Sequence, residues 1–111
     1  MVESVGNPQA PGATMYVVLF RAKIRAPDDD YLQTAARMRE LALQQFGCLE
    51  FQSMTQGEEE VAISWWPSEA AILAWKQHPE HLLAQRAGRE RWYCAYSVQV
   101  AAVVRDYQVV C

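Results

Sequence analysis

The chain has 111 residues, 51% hydrophobic and 21% charged, which is typical of one globular domain. Its formal net charge of -3 and the absence of a basic stripe argue against nucleic acid as a partner. No run approaches the roughly 18 apolar residues of a membrane span, and the first residues lack a signal-peptide pattern. We therefore expect a cytoplasmic protein that does not contact membranes. Three cysteines without a C-x-x-C spacing favour reduced thiols over disulfides or a zinc site.

The first half of the chain predicts a tail, a strand and a helix. Residues 1–14 carry two Pro and two Gly among small polar residues, which predicts a flexible N-terminal tail before a single domain over 15–111. Apolar residues alternate with a period of two from 16 to 25, which predicts the first strand. The aspartates after Pro27 suit a helix start and Gly47 suits a helix end, so we expect the first helix over 30–46.

The second half predicts a hairpin, two helical segments and a last strand. Residues 48–55 and 60–66 are strand-like and flank a polar turn. Ser68 is placed to cap a helix through Gln77, and Pro79 can begin a second helical segment that runs to about Trp92. Alternation resumes over 96–107 as the fourth strand of the predicted sheet.

This order of elements is that of an α+β, ferredoxin-like split βαβ subunit, with a four-stranded antiparallel sheet and helices on one face. Both faces of the predicted strands nevertheless carry bulky side chains, for example Val17 and Leu19 opposite Val18 and Phe20. A sheet face with a tryptophan and several aliphatics would be an aggregation liability in a monomer. We therefore predict a homodimer in which two sheets pack face to face, a dimeric α/β barrel.

One helical face in the second half is the best pocket candidate. His81, Gln85, Gly88 and Trp92 follow one another at steps of four, three and four residues, so they share one side of a helix. Histidine suits proton transfer near neutral pH, and glycine leaves space beside it. A solvated or interface face is the alternative interpretation of the same pattern.

The tryptophans divide between core and pocket. Trp65 and Trp66 are adjacent on a strand and must point to opposite faces, and Trp66 could form one wall of a pocket for a flat apolar ligand. The alternative is that both lie in the core or an interface. Trp75 shares the apolar side of its helix and is expected in the core. His78 and His81 have the spacing of metal ligands but lack a third ligand, so we predict no metal site.

Three segments carry a family resemblance that covers about residues 16–107. The ending WWPS of a strand, the following EAAILAWKQHPEH and the closing GRERWY resemble the antibiotic biosynthesis monooxygenase family of the dimeric α/β-barrel superfamily. The resemblance implies a homodimer with a pocket in each subunit. It also implies oxygenation of phenolic or anthrone-like substrates without a metal or flavin cofactor.

The resemblance thus implies a cofactor-independent, monooxygenase-like protein acting on a small aromatic or quinol-type molecule. In this hypothesis His81 is the proton acceptor, Trp66 and Trp92 are aromatic walls, and Gln85 or Arg21 polarises the substrate oxygen. No cofactor is expected.

Two departures from the family pattern keep other functions open. Members that form polyketide quinones have an asparagine and a tyrosine where this chain has Ala62 and Ile72, which favours a non-catalytic ligand-binding or interaction protein as the alternative. Haem-degrading relatives hold iron with an asparagine and a histidine, and this chain offers Phe20 or Arg21 and Gln85 instead. Haem degradation is accordingly disfavoured.

Overall fold

A computed structural model of the chain describes residues 14–25 and 27–111 in full and the backbone of 2–5. Its strands are β1 (Val2–Val5), β2 (Tyr16–Ile24), β3 (Glu50–Gln56), β4 (Glu59–Trp66), β5 (Tyr93–Ala102) and β6 (Tyr107–Val110). Its helices are α1 (Asp29–Gln44), α2 (Glu69–Gln77) and α3 (Pro79–Ala87), followed by a π-helical turn over Gly88–Trp92. None of these helices is long and apolar enough to cross a membrane.

The main sheet has the strand order β3-β4-β2-β5 with antiparallel neighbours. Phe20 on β2 lies opposite Ala62 on β4 and Val98 on β5, so these three side chains share one face. This order confirms the predicted ferredoxin-like α+β fold, with α1 following β2 and α2 and α3 following β4.

Local capping explains where the helices begin. The Asp28 carboxylate accepts a hydrogen bond from the Tyr31 amide at 2.8 Å, and the Ser68 hydroxyl accepts one from the Ala71 amide at 3.1 Å. His78 caps α3 in the same manner, since its Nδ1 accepts from the Glu80 amide at 3.1 Å. After α1, Gly47 adopts a φ of 77°, the left-handed conformation that the sequence predicted at this helix end.

The predicted helical segment over 79–92 is divided in the structure. The α-helix ends at Ala87, and the chain continues as a π-helical turn before β5 begins at Tyr93. A Cβ atom on Gly88 would lie only 2.5 Å from the Tyr93 ring, so the absence of a side chain lets that ring fold back over the turn. The wider turn therefore delivers Trp92 and Tyr93 toward the sheet.

The predicted last strand over 96–107 is also divided. β5 begins three residues earlier and ends at Ala102, while β6 pairs with β1 in a separate two-stranded sheet. Val2–Val5 is thus a strand inside the segment expected as a flexible tail. Residues 1 and 6–13 lie outside the described residues, so the rest of that expectation stays a prediction.

The helix-covered inner face of the sheet holds two apolar clusters. The larger one joins the sheet to α1 and α2 and consists of Val18, Met38, Leu41, Ala42, Cys48, Trp66, Ile72 and Trp75. The smaller one, at the other end of the sheet, consists of Ile24, Tyr31 and Trp92. The predicted core position of Trp75 is confirmed.

None of the helices that the structure describes lies over the outer face of the sheet. Alternation along β2 and β4 turns Val17, Leu19, Val61, Ile63 and Trp65 away from the helices, and each remains partly exposed. The sequence prediction that both faces carry apolar bulk is therefore confirmed.

A buried hydrogen bond inside the larger cluster gives a stability prediction. The Trp66 indole N–H donates to the Ser64 hydroxyl at 2.8 Å, and these residues are 0% and 3% exposed. We expect Ser64→Ala to lower the free energy of unfolding by about 1–3 kcal/mol, because the buried N–H loses its acceptor. Urea unfolding followed by circular dichroism measures the change. In a Trp66→Phe background the same substitution should cost clearly less, and equal costs in both backgrounds would contradict this account.

Candidate functional site

A cavity of about 870 Å³ lies between the inner face of the sheet and helices α1 and α3. It occupies the space between the two apolar clusters. Small side chains keep this space open on three sides, namely Ala35 and Ala36 of α1, Ala62 of β4 and Ala84 of α3. A cavity of this size between sheet and helices is suited to a small organic ligand.

One end of the cavity carries an imidazole and an amide. The His81 ring stands edge-on against the Trp75 ring, with centroids 4.3 Å apart. The Gln85 side-chain nitrogen lies 2.9 Å from His81 Nδ1 and donates a hydrogen bond to the Lys76 carbonyl at 3.1 Å. Burial lowers the pKa of His81 to about 4, and the positive charge of Lys76 acts in the same direction. His81 is therefore neutral at physiological pH.

The other end of the cavity carries a carboxylate and a phenol. Glu60 on β4 accepts a hydrogen bond from the Tyr31 hydroxyl of α1. Burial, followed by the hydrogen bond to Glu60, raises the pKa of Tyr31 well above its ordinary value. Tyr31 is consequently a protonated donor, and its hydroxyl fixes the carboxylate at the cavity wall.

Aromatic rings form the wall of the cavity beside this carboxylate. The Phe20 ring lies 5.4 Å from the Tyr93 ring and 6.1 Å from the Tyr96 ring, measured between centroids. Tyr93 and Tyr96 are themselves 5.7 Å apart, so the three rings make one contiguous surface. Burial raises the pKa of Tyr93 to about 12, which keeps its hydroxyl protonated. Such a surface can stack against a flat apolar ligand.

The structure brings two of the predicted site residues to the cavity. His81 and Gln85 both line it. Trp66 does not, because it is fully buried behind Trp75, whose ring lies 5.1 Å away and faces the cavity in its place. The aromatic wall at this end is therefore Trp75.

The other two predicted site residues lie elsewhere. Trp92 is 3% exposed and packs edge-on against Tyr31 with ring centroids 5.4 Å apart, and it lines a smaller cavity of about 450 Å³ between α1 and α3. Its indole N–H has no hydrogen-bond partner among the described residues. Arg21 is exposed on the outer face of β2, opposite Val61 and Ser97, because its position in the alternation turns it away from the helices. The four-residue helical face predicted from spacing is thus interrupted by the π-helical turn.

Sequence reasoning missed the carboxylate end. Glu60, Ala62, Ser64 and Trp66 are alternate residues of β4 and therefore point to the same face of the sheet. The period of two in the sequence thus already placed Glu60 on the face of the buried Trp66. Glutamate is rarely buried without a partner, which makes its position on an inner face the signal that could have revealed it. The partner Tyr31 is 29 residues away in sequence and gives no local signal.

Solved structures share this fold at low sequence identity. The structure of Rv0793 from Mycobacterium tuberculosis superposes with a TM-score of 0.71 and 19% identity, covering 83% of this chain and 97% of that one. A variant of SnoaB, a cofactor-independent oxygenase from Streptomyces nogalater, gives a TM-score of 0.70 and 15% identity, covering 83% of this chain and 95% of that one. At these identities the likeness concerns the fold alone.

A bacterial relative shares more sequence identity with this chain than these two solved structures do. The uncharacterised protein YqjZ of Bacillus subtilis is 37% identical over 99 residues, which covers 88% of this chain and 87% of the relative. The sequence profile of the antibiotic biosynthesis monooxygenase family matches residues 15–87, which span the main sheet up to β4 and all three α-helices. The chain therefore belongs to the antibiotic biosynthesis monooxygenase family.

Proposed function

We propose that this protein binds a small phenolic or quinol-type aromatic molecule in the 870 Å³ cavity and oxygenates it with molecular oxygen, without a cofactor. The observation that carries this proposal is the cavity itself, an aromatic-lined space between sheet and helices with polar groups at its two ends. Family membership supports the class of reaction. The aromatic walls suit a flat ring system, and the polar ends suit oxygen substituents at its edges.

The reaction needs a base, a hydrogen-bond donor for the developing oxyanion, and a site with little water. Removal of a proton from an acidic C–H group leaves a carbanion stabilised by the aromatic oxygen. That carbanion reduces oxygen, and the resulting peroxide collapses to a carbonyl with loss of water. A methylene group and one O₂ thus become one carbonyl and one H₂O. The protein supplies the positioning and the proton transfers.

The hydrogen bonds around His81 determine what it can do in this scheme. The Lys76 carbonyl can only accept, so the Gln85 atom beside it must be the amide nitrogen. That same nitrogen lies against His81 Nδ1, so we assign Nδ1 as the accepting, unprotonated ring nitrogen. A neutral His81 then carries its proton on Nε2 and has no free lone pair.

We therefore assign His81 the role of a hydrogen-bond donor to the substrate oxygen, in place of the proton acceptor expected from sequence. Such donors act by stabilising charge that develops in the transition state. Gln85 is the residue that fixes the imidazole in the donating tautomer.

Non-catalytic ligand binding is the second candidate function. It is favoured by Ala62, which lines the cavity at a position where the family resemblance implies a catalytic asparagine. The other departure, Ile72, lies in the larger apolar cluster and does not line the cavity. Only one of the two departures therefore bears on the chemistry of the site.

We also propose that the protein is a homodimer through the outer face of the sheet. The partly exposed side chains of Val17, Leu19, Val61, Ile63 and Trp65 form a continuous apolar surface there. Its burial against a second copy would remove this surface from water. The cavity opens on the opposite side of the sheet, so dimerisation leaves it free.

The proposed reaction predicts oxygen consumption. Purified protein in the presence of a chelator should consume oxygen with at least one member of a panel of anthrones and quinols. His81→Ala should lower the rate by about 10²–10³, the usual effect of removing one donor to an oxyanion. An oxygen electrode and product chromatography measure the reaction.

A matched control comes from the other histidine of the chain, His78. His78→Asn keeps an acceptor for the N-terminal amide of α3 and lies outside the cavity, so its rate should equal that of the wild type. Equal rates for His81→Ala and the wild type would refute the assigned role. Binding of anthrone, followed by tryptophan fluorescence, without oxygen consumption would favour the non-catalytic alternative.

The burial of His81 predicts a pH dependence of stability. Because the pKa of His81 is lowered to about 4, the unfolded chain takes up a proton below about pH 6.5 while the folded chain does not until about pH 4. Stability should therefore fall as pH falls through this window, by at most about 3 kcal/mol, since each pH unit is worth about 1.4 kcal/mol.

Urea unfolding at several pH values, compared between the wild type and His81→Gln, isolates this contribution. The wild type should lose more stability than the variant between pH 6.5 and pH 4. Parallel curves would mean that His81 is not buried as a neutral group. NMR titration of the imidazole gives an independent reading of the same pKa.

The proposed interface predicts a dimer in solution. Light scattering should give twice the subunit mass of 12.6 kDa. Ile63→Glu should give a monomer, because it places a charge in the centre of the outer face. Leu73→Glu is the control, since Leu73 is 56% exposed on α2 on the other side of the sheet, and that variant should remain dimeric. A monomeric wild type at micromolar concentration would exclude the interface.

A further inference from the structure

We propose that Glu60, oriented by Tyr31, is the group that takes the proton from the substrate. This inference rests on the proposed function, since it assigns a residue to the proton-transfer step of that reaction. It follows from the geometry of one side of the cavity, where a carboxylate is held at the wall and aimed at the space that a ligand would fill.

Glu60 is the single carboxylate among the described residues that line the cavity. The other ionisable side chains at its walls are His81, the tyrosines and the cations Arg39 and Lys76, none of which combines a free lone pair with basicity near neutral pH. A carboxylate accepts protons through either oxygen. The cavity therefore contains one suitable acceptor.

One oxygen of this carboxylate is committed and the other is open. Glu60 Oε2 accepts the hydrogen bond from the Tyr31 hydroxyl, and Oε1 accepts no side-chain hydrogen bond within the described part of the chain. A carboxylate that served only to link α1 to the sheet would need only Oε2. The free oxygen, at the wall of a cavity, is what a proton transfer requires.

Tyr31 is held rigidly enough to orient the carboxylate. Its ring is 4% exposed, and the rings of Trp92 and Tyr93 stand edge-on to it at centroid distances of 5.4 and 6.0 Å. Its backbone is fixed by the cap at Asp28. Because the ring cannot swing, the hydroxyl defines the direction of the second carboxylate oxygen.

The donor end and the carboxylate end are far enough apart for a ring system to lie between them. Along β4, Glu60 is four residues from Ser64, about 13 Å at 3.3 Å per residue. The Ser64 hydroxyl accepts from Trp66, whose ring packs on Trp75 beside His81. Along α1, Tyr31 is seven residues from Met38, whose carbonyl accepts from Trp75 beside His81, and this span is about 10 Å at 1.5 Å per residue. A substrate can thus direct its carbonyl at His81 and its acidic C–H at Glu60.

The step is balanced with molecular oxygen as the oxidant. The C–H bond breaks, its proton passes to Glu60, and its electron pair is delocalised onto the substrate oxygen near His81. Oxygen takes one electron from the carbanion, and the two radicals combine as a peroxide at the same carbon. Glu60 returns its proton to the peroxide. Loss of water, from the hydroperoxide and the second C–H proton, then leaves a carbonyl.

The test measures proton abstraction in the absence of oxygen. Anthrone is incubated with protein under nitrogen in D₂O, and exchange of its methylene protons is followed by NMR. The wild type should accelerate exchange, and Glu60→Gln should lower that acceleration by about 100-fold or more. The amide oxygen can still accept from Tyr31, so the variant should retain the melting temperature and the anthrone affinity of the wild type.

Glu59→Gln is the matched control. Glu59 neighbours Glu60 on β4 but is exposed and does not line the cavity, so this variant should exchange at the wild-type rate. In Glu60→Ala, added formate should restore exchange, because the small carboxylate can occupy the vacated space. In Glu60→Gln it should not. Tyr31→Phe should lower exchange by about tenfold, since Glu60 is still present but loses the hydroxyl that orients it.

The outcomes separate this inference from the proposed function. Exchange that depends on Glu60, without oxygen uptake in air, would support Glu60 as the base and overturn the oxygenase. Oxygen uptake with unchanged exchange in Glu60→Gln would leave the oxygenase in place and overturn the role of Glu60. A wild-type protein that gives no exchange at saturating anthrone also overturns that role.

Discussion

The contact between Trp66 and Trp75 determines how the helices sit on the sheet. Their rings pack at a centroid distance of 5.1 Å, and the Trp75 indole N–H donates to the Met38 carbonyl at 3.1 Å. These contacts link β4, α2 and α1 through two large, buried side chains. The two packed indole rings thereby set the distance between these helices and the sheet. At Ala35, Ala62 and Ala84 the side chains are too small to fill the gap between helices and sheet. The unfilled gap is the cavity.

Periodicity was sufficient to predict the strands of the main sheet and the core position of Trp75, because apolar burial repeats at short range. It failed where the chain departs from regular geometry. The run from His81 to Trp92 reads as one helical face, but the π-helical turn that starts at Gly88 rotates Trp92 away from that face into the smaller cluster. Nothing in local spacing signals this, since the cause is the packing of Tyr93 against Gly88.

The chemistry of the site was harder to predict than the fold for a related reason. A helical spacing identified His81 and Gln85 together because they are four residues apart on one helix. The role proposed for His81 rests on a backbone carbonyl at Lys76, nine residues before Gln85. The pairing of Tyr31 with Glu60 joins a helix to a strand across 29 residues. Such long-range pairs form only in the tertiary fold. A single sequence shows both residues of a pair but does not show that they are in contact.

The two polar ends of the cavity also give physical meaning to the departure at Ala62. The family resemblance implies a polar catalytic side chain at that position of the inner face, and this chain has a methyl group there. Glu60 lies two residues before Ala62 on the same face, about 6.6 Å away at 3.3 Å per residue. Because alternate residues of a strand share a face, Glu60 gives the proposed reaction a polar group on the same wall of the cavity as Ala62. In that reaction the methyl group at 62 leaves the inner face unobstructed beside the carboxylate, so a ring system has room against β4.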